Sequence, residues 1–108
     1  MTAALVSLYV TCADHGEAEA IARHLVAQHL AACANILGTI TSVYRWQGAV
    51  ETGEEVALLL KTRADLVDVA TAEIRRLHSY DLPCIVAWPV VGGDADYLAW
   101  VAAETRRN

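Results

Sequence analysis

The sequence predicts an α+β fold with elements in the order β-α-β-β-α-β, followed by a C-terminal helix. Two observations predict this fold. Short β-rich apolar runs alternate with segments whose apolar residues recur at helical spacing, and turn residues separate the two kinds of segment. The 108 residues fit one domain spanning residues 1–108. With 56% hydrophobic and 19% charged residues, the composition excludes a disordered acidic segment.

The first strand is predicted at Leu5 to Cys12. Asp14 and Glu17 then form an Asp-x-x-Glu capping box, which opens a helix extending to about Ala32. The buried face of this helix is predicted from an i, i+3, i+4, i+7 stripe of apolar residues: Ala18, Ile21, Ala22 and Leu25.

The second strand is predicted from the β-branched region Ile36 to Trp46, with its start at Cys33 and a kink at Gly38. It pairs with a third strand through a hairpin. Gly48 and Thr52-Gly53 are both candidate turns, and we place the tip of the hairpin at Thr52-Gly53.

The third strand is predicted over Val56 to Lys61, and Thr62 to Asp65 has the pattern of a second capping box. The helix that follows carries a stripe interrupted only by Glu73. A fourth strand is predicted over Cys84 to Val91. A short last helix starts at Gly92-Gly93-Asp94 and carries four large apolar residues: Tyr97, Leu98, Trp100 and Val101.

This order of elements predicts a ferredoxin-like sandwich. Crossover connections between parallel strands are right-handed, so the two βαβ halves interleave into one four-stranded sheet. We expect the strand order 4-1-3-2, with all neighbouring strands antiparallel and both main helices on one face.

The third and fourth strands are apolar on both faces, although the chain has helices for only one. An uncovered apolar face would exceed the patch size that soluble monomers usually expose. We therefore expect the second face to be buried against other copies of the chain. A monomer whose sheet alternates only weakly is the alternative.

Charge and hydropathy exclude two classes of partner. The chain has 8 Lys+Arg against 13 Asp+Glu, and its longest basic runs are the pairs Arg75-Arg76 and Arg106-Arg107. Nucleic acid and anionic membrane surfaces are therefore not expected partners. No apolar segment approaches the roughly 20 residues of a membrane span, and the N-terminal apolar run is interpreted as a strand of the mature protein. Three widely spaced cysteines are typical of free thiols in the cytoplasm.

A possible metal site follows from the predicted topology. If the first and fourth strands are antiparallel neighbours, Cys12 approaches Cys84 at the edge where His78 ends the second helix; His15 lies in the adjacent turn. Thiols and imidazoles suit Cu(I) or Zn(II). The alternative is that both cysteines are small buried apolar residues. Cys33 starts the second strand at the opposite edge, away from this cluster.

Catalytic signatures are lacking: the sequence shows neither a nucleophile elbow nor a Ser-His-Asp order, so we do not expect an enzyme.

Five motifs in order do resemble one family, the CutA divalent-cation tolerance proteins. The patterns of that family are LAACVNI, S-x-Y-x-W-x-G, E-x-x-L-x-x-KT, HPY-x-x-P and YL-x-W. The stretches of this sequence that are similar to them are, in the same order, Leu30–Ile36, Ser42–Gly48, Glu54–Thr62, His78–Pro83 and Tyr97–Trp100.

The resemblance implies a ferredoxin-like subunit in a homotrimer, an architecture shared with P-II type signal transducers. It also implies a role in the response to metal ions, with weak binding of copper or another divalent metal and a downstream protein partner that the resemblance does not identify. Nine residues match family positions near intersubunit clefts: Cys33, Asn35, Tyr44, Trp46, Lys61, His78, Tyr80, Tyr97 and Trp100. The alternative function is a P-II-like regulator that binds a small molecule in those clefts.

Two residues depart from the family pattern. Ser79 replaces a usual proline, and Cys84 replaces a usual glutamate. The second change puts in doubt any site that uses the carboxylate. It also exchanges a hard oxygen ligand for a soft sulfur, which favours Cu(I) over Mg²⁺ or Ca²⁺.

Overall fold

The computed structural model describes residues 3–105; the ends of the predicted domain, including Arg106-Arg107, lie outside the described residues. Its strands are β1 (Leu5–Cys12), β2 (Cys33–Trp46), β3 (Ala49–Arg63) and β4 (Ile85–Pro89). Its α-helices are α1 (His15–Ala27), α2 (Val67–Leu77) and α3 (Ala95–Glu104). None of the helices in the described part is long and apolar enough to cross a membrane.

The predicted sheet topology is confirmed. The strands lie in the order β2-β3-β1-β4, which is 4-1-3-2 read from the other edge, and every neighbouring pair is antiparallel. Both α1 and α2 pack on one face, where their buried side chains join those of β1 and β3 in the main core: Ala18, Ile21, Leu25, Ala70, Ile74, Leu8, Val10, Leu58 and Leu60. The α+β sandwich is therefore the fold of this chain.

The tip of the β2–β3 hairpin is at Gln47-Gly48, so the predicted position at Thr52-Gly53 is wrong. Both tip residues have positive φ, 49° for Gln47 and 83° for Gly48, as a two-residue turn that matches strand twist requires. Gly53 instead lies within β3, opposite Ser42. The hairpin extends beyond the helices and contributes to a molecule measuring 47 × 25 × 22 Å.

Two predicted helix boundaries are also wrong. α1 ends at Ala27 rather than near Ala32, because His29 takes a left-handed φ of 59° and turns the chain toward β2. No capping box forms after β3, where a 3₁₀ turn over Ala64–Leu66 precedes α2. The Thr62 side chain is buried, and its hydroxyl finds no hydrogen-bond partner in the described part of the chain.

The fourth strand is shorter than predicted, since it spans Ile85–Pro89 rather than Cys84–Val91. Val86 and Trp88 lie on the face away from the main helices and remain 43% and 49% exposed. Trp88 stacks on Tyr9 of the neighbouring strand with ring centroids 5.0 Å apart. The expected apolar second face is thus present, and it is open in the single chain.

Candidate functional site

A buried cluster lies where β1 ends, α1 begins and α2 ends. It contains Cys12, Glu17 and His78, and one possible metal-ligating atom from each residue lies within 4.8 Å of the others. Cys12 is the last residue of β1, Glu17 lies in the first turn of α1, and His78 follows the last residue of α2. The sheet therefore brings together three side chains that are far apart in the sequence.

Hydrogen bonds to the backbone fix the orientation of the His78 ring. Its Nε2 lies 2.8 Å from the carbonyl oxygen of Thr11, which can only accept, so Nε2–H is the donor. Its Nδ1 accepts from the N–H of Tyr80 at 3.1 Å. These contacts orient the ring so that Nδ1 lies 3.7 Å from Glu17 Oε1.

Glu17 joins two loops through its carboxylate. Oε1 accepts from the N–H of Ala13 at 2.9 Å, and Oε2 accepts from the N–H of Ser79 at 2.8 Å. Burial alone would raise the pKa of Glu17, but the hydrogen bonds from Ala13 and Ser79 outweigh it and hold the pKa below its usual value. The carboxylate is therefore ionised at neutral pH and ties the β1–α1 turn to the segment after α2.

Cys12 is a protonated thiol in this environment. Burial raises its pKa to about 12, and the negative charges of Glu17, Glu55 and Asp14 add to the shift. A metal ligand must be a thiolate, so binding here requires loss of the thiol proton.

The structure brings together two of the four predicted metal residues, Cys12 and His78. Cys84 is exposed and lies outside the cluster, as does His15, which is the exposed first residue of α1. Ile85 pairs with Val10 on the face of the sheet that the helices cover. Because successive side chains of a strand point to opposite faces, the preceding residue, Cys84, lies on the face away from the helices. The sequence analysis did not include Glu17 in the metal site, because the capping box of α1 already explained why an acidic residue stands at this position.

Five of the predicted cleft residues gather at the opposite end of the sheet. Lys61 Nζ donates to Asn35 Oδ1 at 3.1 Å, and Cys33 Sγ lies 3.0 Å from the Tyr97 hydroxyl. The hydrogen bond with Cys33, followed by burial, raises the pKa of Tyr97 to about 12. Trp100 completes this group, with its ring centroid 5.5 Å from that of Tyr97.

The other four predicted cleft residues, Tyr44, Trp46, His78 and Tyr80, lie at or beside a groove between the β2–β3 hairpin and the α2–β4 loop. The groove encloses about 570 Å³. Tyr80 lines it, and its ring centroid is 4.7 Å from that of His78. Burial raises the pKa of Tyr80 to about 12, together with a hydrogen bond to Glu55. Within one chain the nine residues therefore form two separate groups.

Comparison with known proteins identifies the family. Residues 6–104 match the family model described as CutA1 divalent ion tolerance protein. The chain belongs to this family. A chloroplastic CutA protein of rice is 38% identical over 103 residues, which cover 95% of this chain and 58% of the rice protein. The chain thus spans little more than half the length of that relative.

Two further comparisons extend the CutA1 assignment to a bacterial relative and to a solved structure. The divalent-cation tolerance protein CutA of Thermus thermophilus is 40% identical over 96 residues, which cover 89% of this chain and 93% of that protein. The crystal structure of CutA1 from Oryza sativa matches with a TM-score of 0.94 at 37% identity, covering 99% of this chain and 98% of that one. The resemblance identified from the motifs is confirmed.

The two departures from the CutA pattern now have structural positions. The N–H of Ser79 donates to Glu17 Oε2, a bond that a proline at this position could not form because proline has no N–H. Cys84 lines the groove and does not belong to the cluster of Cys12, Glu17 and His78.

Proposed function

We propose that this chain is a divalent-cation tolerance protein that responds to metal ions and binds copper, or another divalent metal, weakly through Cys12, Glu17 and His78. The supporting observation is the mutual approach of their ligand atoms within 4.8 Å in a CutA1 chain. A thiol and an imidazole together suit Cu(I) or Zn(II). The metal is the cargo of the protein rather than a resident cofactor.

We expect the binding to be weak because the ligand atoms of the cluster already take part in hydrogen bonds or carry a proton. A cation must displace the thiol proton of Cys12 and the Tyr80 N–H that occupies His78 Nδ1. A bond to Glu17 would also compete with the N–H of Ala13 or Ser79. Because the thiol releases a proton on binding, the apparent affinity rises with pH across the neutral range.

A Cu(I) competition titration with a chromophoric chelator tests this assignment. Cys12→Ala is expected to weaken uptake at least tenfold, and Cys84→Ala is the matched control because that exposed thiol lies outside the cluster. Circular dichroism verifies that both variants are folded. Equal uptake by Cys12→Ala and the unchanged protein would refute the site, and a loss confined to Cys84→Ala would place it in the groove.

We further propose that the chain forms a homotrimer. The open face of the sheet supports this proposal, because Val86 and Trp88 expose 43% and 49% of their surface there. Contiguous apolar surface of this kind marks an interface. Native mass spectrometry at micromolar concentration is expected to show three copies, and a stable monomer would refute the proposal.

We also propose that the protein is cytoplasmic and is not an enzyme. The free thiols of Cys12, Cys33 and Cys84 support a reducing compartment. Both ring nitrogens of His78 are engaged by backbone groups, which argues against its use as a catalytic base. The CutA relatives reported above give no support to the P-II-like alternative. Fractionation of cells and a hydrolase screen of the purified protein test the two proposals.

A further inference from the structure

The cluster of Cys12, Glu17 and His78 is closed to the solvent. Cys12 is fully buried, and the side chains of His78 and Glu17 are 0% and 13% exposed. Cys12 belongs to the main core under the helices, so the cluster lies away from the face that other copies of the chain are proposed to cover. A cation can therefore reach these ligands only when part of the same chain moves aside.

Residues 79–81, which directly follow His78, form a strap across the cluster. The N–H of Ser79 donates to Glu17 Oε2 at 2.8 Å, and the N–H of Tyr80 donates to His78 Nδ1 at 3.1 Å. Both acceptors are atoms that a bound cation would use. The strap therefore occupies the side from which a cation would approach these two ligands.

Side chains from other parts of the chain hold the strap in place. Of the backbone hydrogen bonds that the described residues form outside helices and strands, none involves residues 79–81. Besides its two bonds to the cluster, the strap is attached through the side chain of Tyr80 to Glu55, and through Asp81 to α2. In the latter contact, Arg75 Nη2 donates to the carbonyl oxygen of Asp81 at 3.0 Å. A segment attached in this way can open locally without global unfolding.

Arg75 provides an attachment for which a cation does not compete. The bonds from Ser79 and Tyr80 end on the ligands themselves, whereas neither Arg75 nor Asp81 belongs to the cluster. Both are exposed, so their bond can break and re-form without any change in the core. Arg75 lies about one helical turn before His78, which places this attachment beside the cluster.

We propose that a metal ion enters the cluster through the opening of the strap, and that Arg75 is the positioning residue that holds the strap closed. The inference rests on the metal site proposed above. When Asp81 is released, the strap moves away from the first turn of α1, and the cation passes between Ser79 and Glu17, the cluster side chain that has some solvent exposure. This path lies on the helix side of the sheet, so it does not require a free groove on the opposite face.

Alkylation of Cys12 by iodoacetamide measures the opening of the strap without any metal. Peptide mass spectrometry separates Cys12 from the other thiols, and Cys33, at the opposite end of the sheet, is the internal reference. Arg75→Ala is expected to raise the alkylation rate of Cys12 by about threefold to tenfold, as for the loss of one hydrogen bond. Loss of a positive charge near a thiol disfavours the thiolate, so the charge change alone would slow the reaction. An unchanged rate would refute the role of Arg75.

Arg76→Ala is the matched control. Arg76 is the next residue of α2 and carries the same charge, but its guanidinium binds Glu73 instead of the strap. We expect the Cys12 rate of Arg76→Ala, and that of Arg75→Lys, which keeps a charged donor, to stay within about twofold of the unchanged protein. Urea unfolding verifies that a faster rate does not come from global unfolding. A rise as large in Arg76→Ala as in Arg75→Ala would overturn the proposal.

Stopped-flow uptake of Cu(I) from a chromophoric chelator separates this inference from the metal site itself. Because the cation passes through the open strap, Arg75→Ala is expected to accelerate uptake by the same factor as the alkylation of Cys12. Uptake that is equally fast in Arg75→Ala and the unchanged protein would overturn the strap mechanism and leave the site intact. No uptake by either protein would refute the metal site, and with it the passage of a cation beneath the strap.

Discussion

Glu17 is expected to contribute more to stability than any exposed acidic residue of α1, because its carboxylate accepts two backbone N–H groups from different loops. A hydrogen bond to a charged group contributes about 1.5–3 kcal/mol. Ala13 and Ser79, the two donors, are exposed residues, so water partly replaces the lost acceptor. We therefore expect Glu17→Ala to reduce the free energy of unfolding by about 2–3 kcal/mol at pH 7.

The pH dependence of this effect has a definite sign. The folded protein holds the pKa of Glu17 below its usual value, so the stabilisation is present above the unfolded pKa of about 4.3. It is lost as the pH falls through the folded pKa. The difference between Glu17→Ala and the unchanged protein is therefore expected to shrink below about pH 4.

Urea unfolding followed by circular dichroism, at one fixed protein concentration, measures the effect. Glu19→Ala is the control: Glu19 lies on the same helix, and its side chain is 48% exposed and pairs with Arg23 at 3.4 Å. Such an exposed pair contributes less than about 1 kcal/mol. If Glu17→Ala is no more destabilising than Glu19→Ala, or if its effect is the same at pH 3.5 and pH 7, the structural role assigned to Glu17 is incorrect.

Three further predictions concern single residues. Ser79→Pro removes the N–H that binds Glu17 Oε2, and the backbone can accept proline there because His78 already has the extended conformation that proline requires of the residue before it. Because Glu17 Oε2 is then free to bind a metal ion, Cu(I) uptake should rise in Ser79→Pro but not in Ser79→Ala, which keeps the N–H. Equal uptake by the two variants would contradict this prediction. Thr62→Val replaces a buried hydroxyl that lacks a partner among the described residues, so urea unfolding should show a gain of about 1 kcal/mol, and a loss would contradict it. Gly48→Ala should destabilise the hairpin by about 1 kcal/mol in the same assay because its φ is +83°, whereas Gly53→Ala, with its nearest neighbour 3.8 Å away, should cost less.

The topology could be predicted because it follows from the order of elements and the handedness of crossovers, which leave few arrangements. The hairpin tip could not, because Gln47 adopts a left-handed conformation that its residue type does not favour, and Thr52-Gly53 offered a competing turn. The end of α1 was missed for a similar reason, since His29 occupies the left-handed position that glycine usually takes.

The candidate metal site was predictable only in part. Cys12 and His78 meet because the sheet fixes the ends of β1 and α2, and the topology carries that information. Which face Cys84 occupies depends on the register between β4 and β1, in which Ile85 lies opposite Val10. The sequence does not give this register, and a shift of one residue in the pairing exchanges the two faces of a strand and moves a candidate ligand across the sheet.

Tyr80 belongs to both regions described above: its N–H binds His78 Nδ1, and its ring forms part of the groove wall. A cation that takes Nδ1 must first release this N–H, and the wall of the groove then loses its anchor. Thermodynamic linkage makes such an effect mutual, so any contact that holds Tyr80 in its position would weaken cation binding at Nδ1 by the same factor. One tyrosine thus couples the availability of the imidazole to the packing of the groove wall.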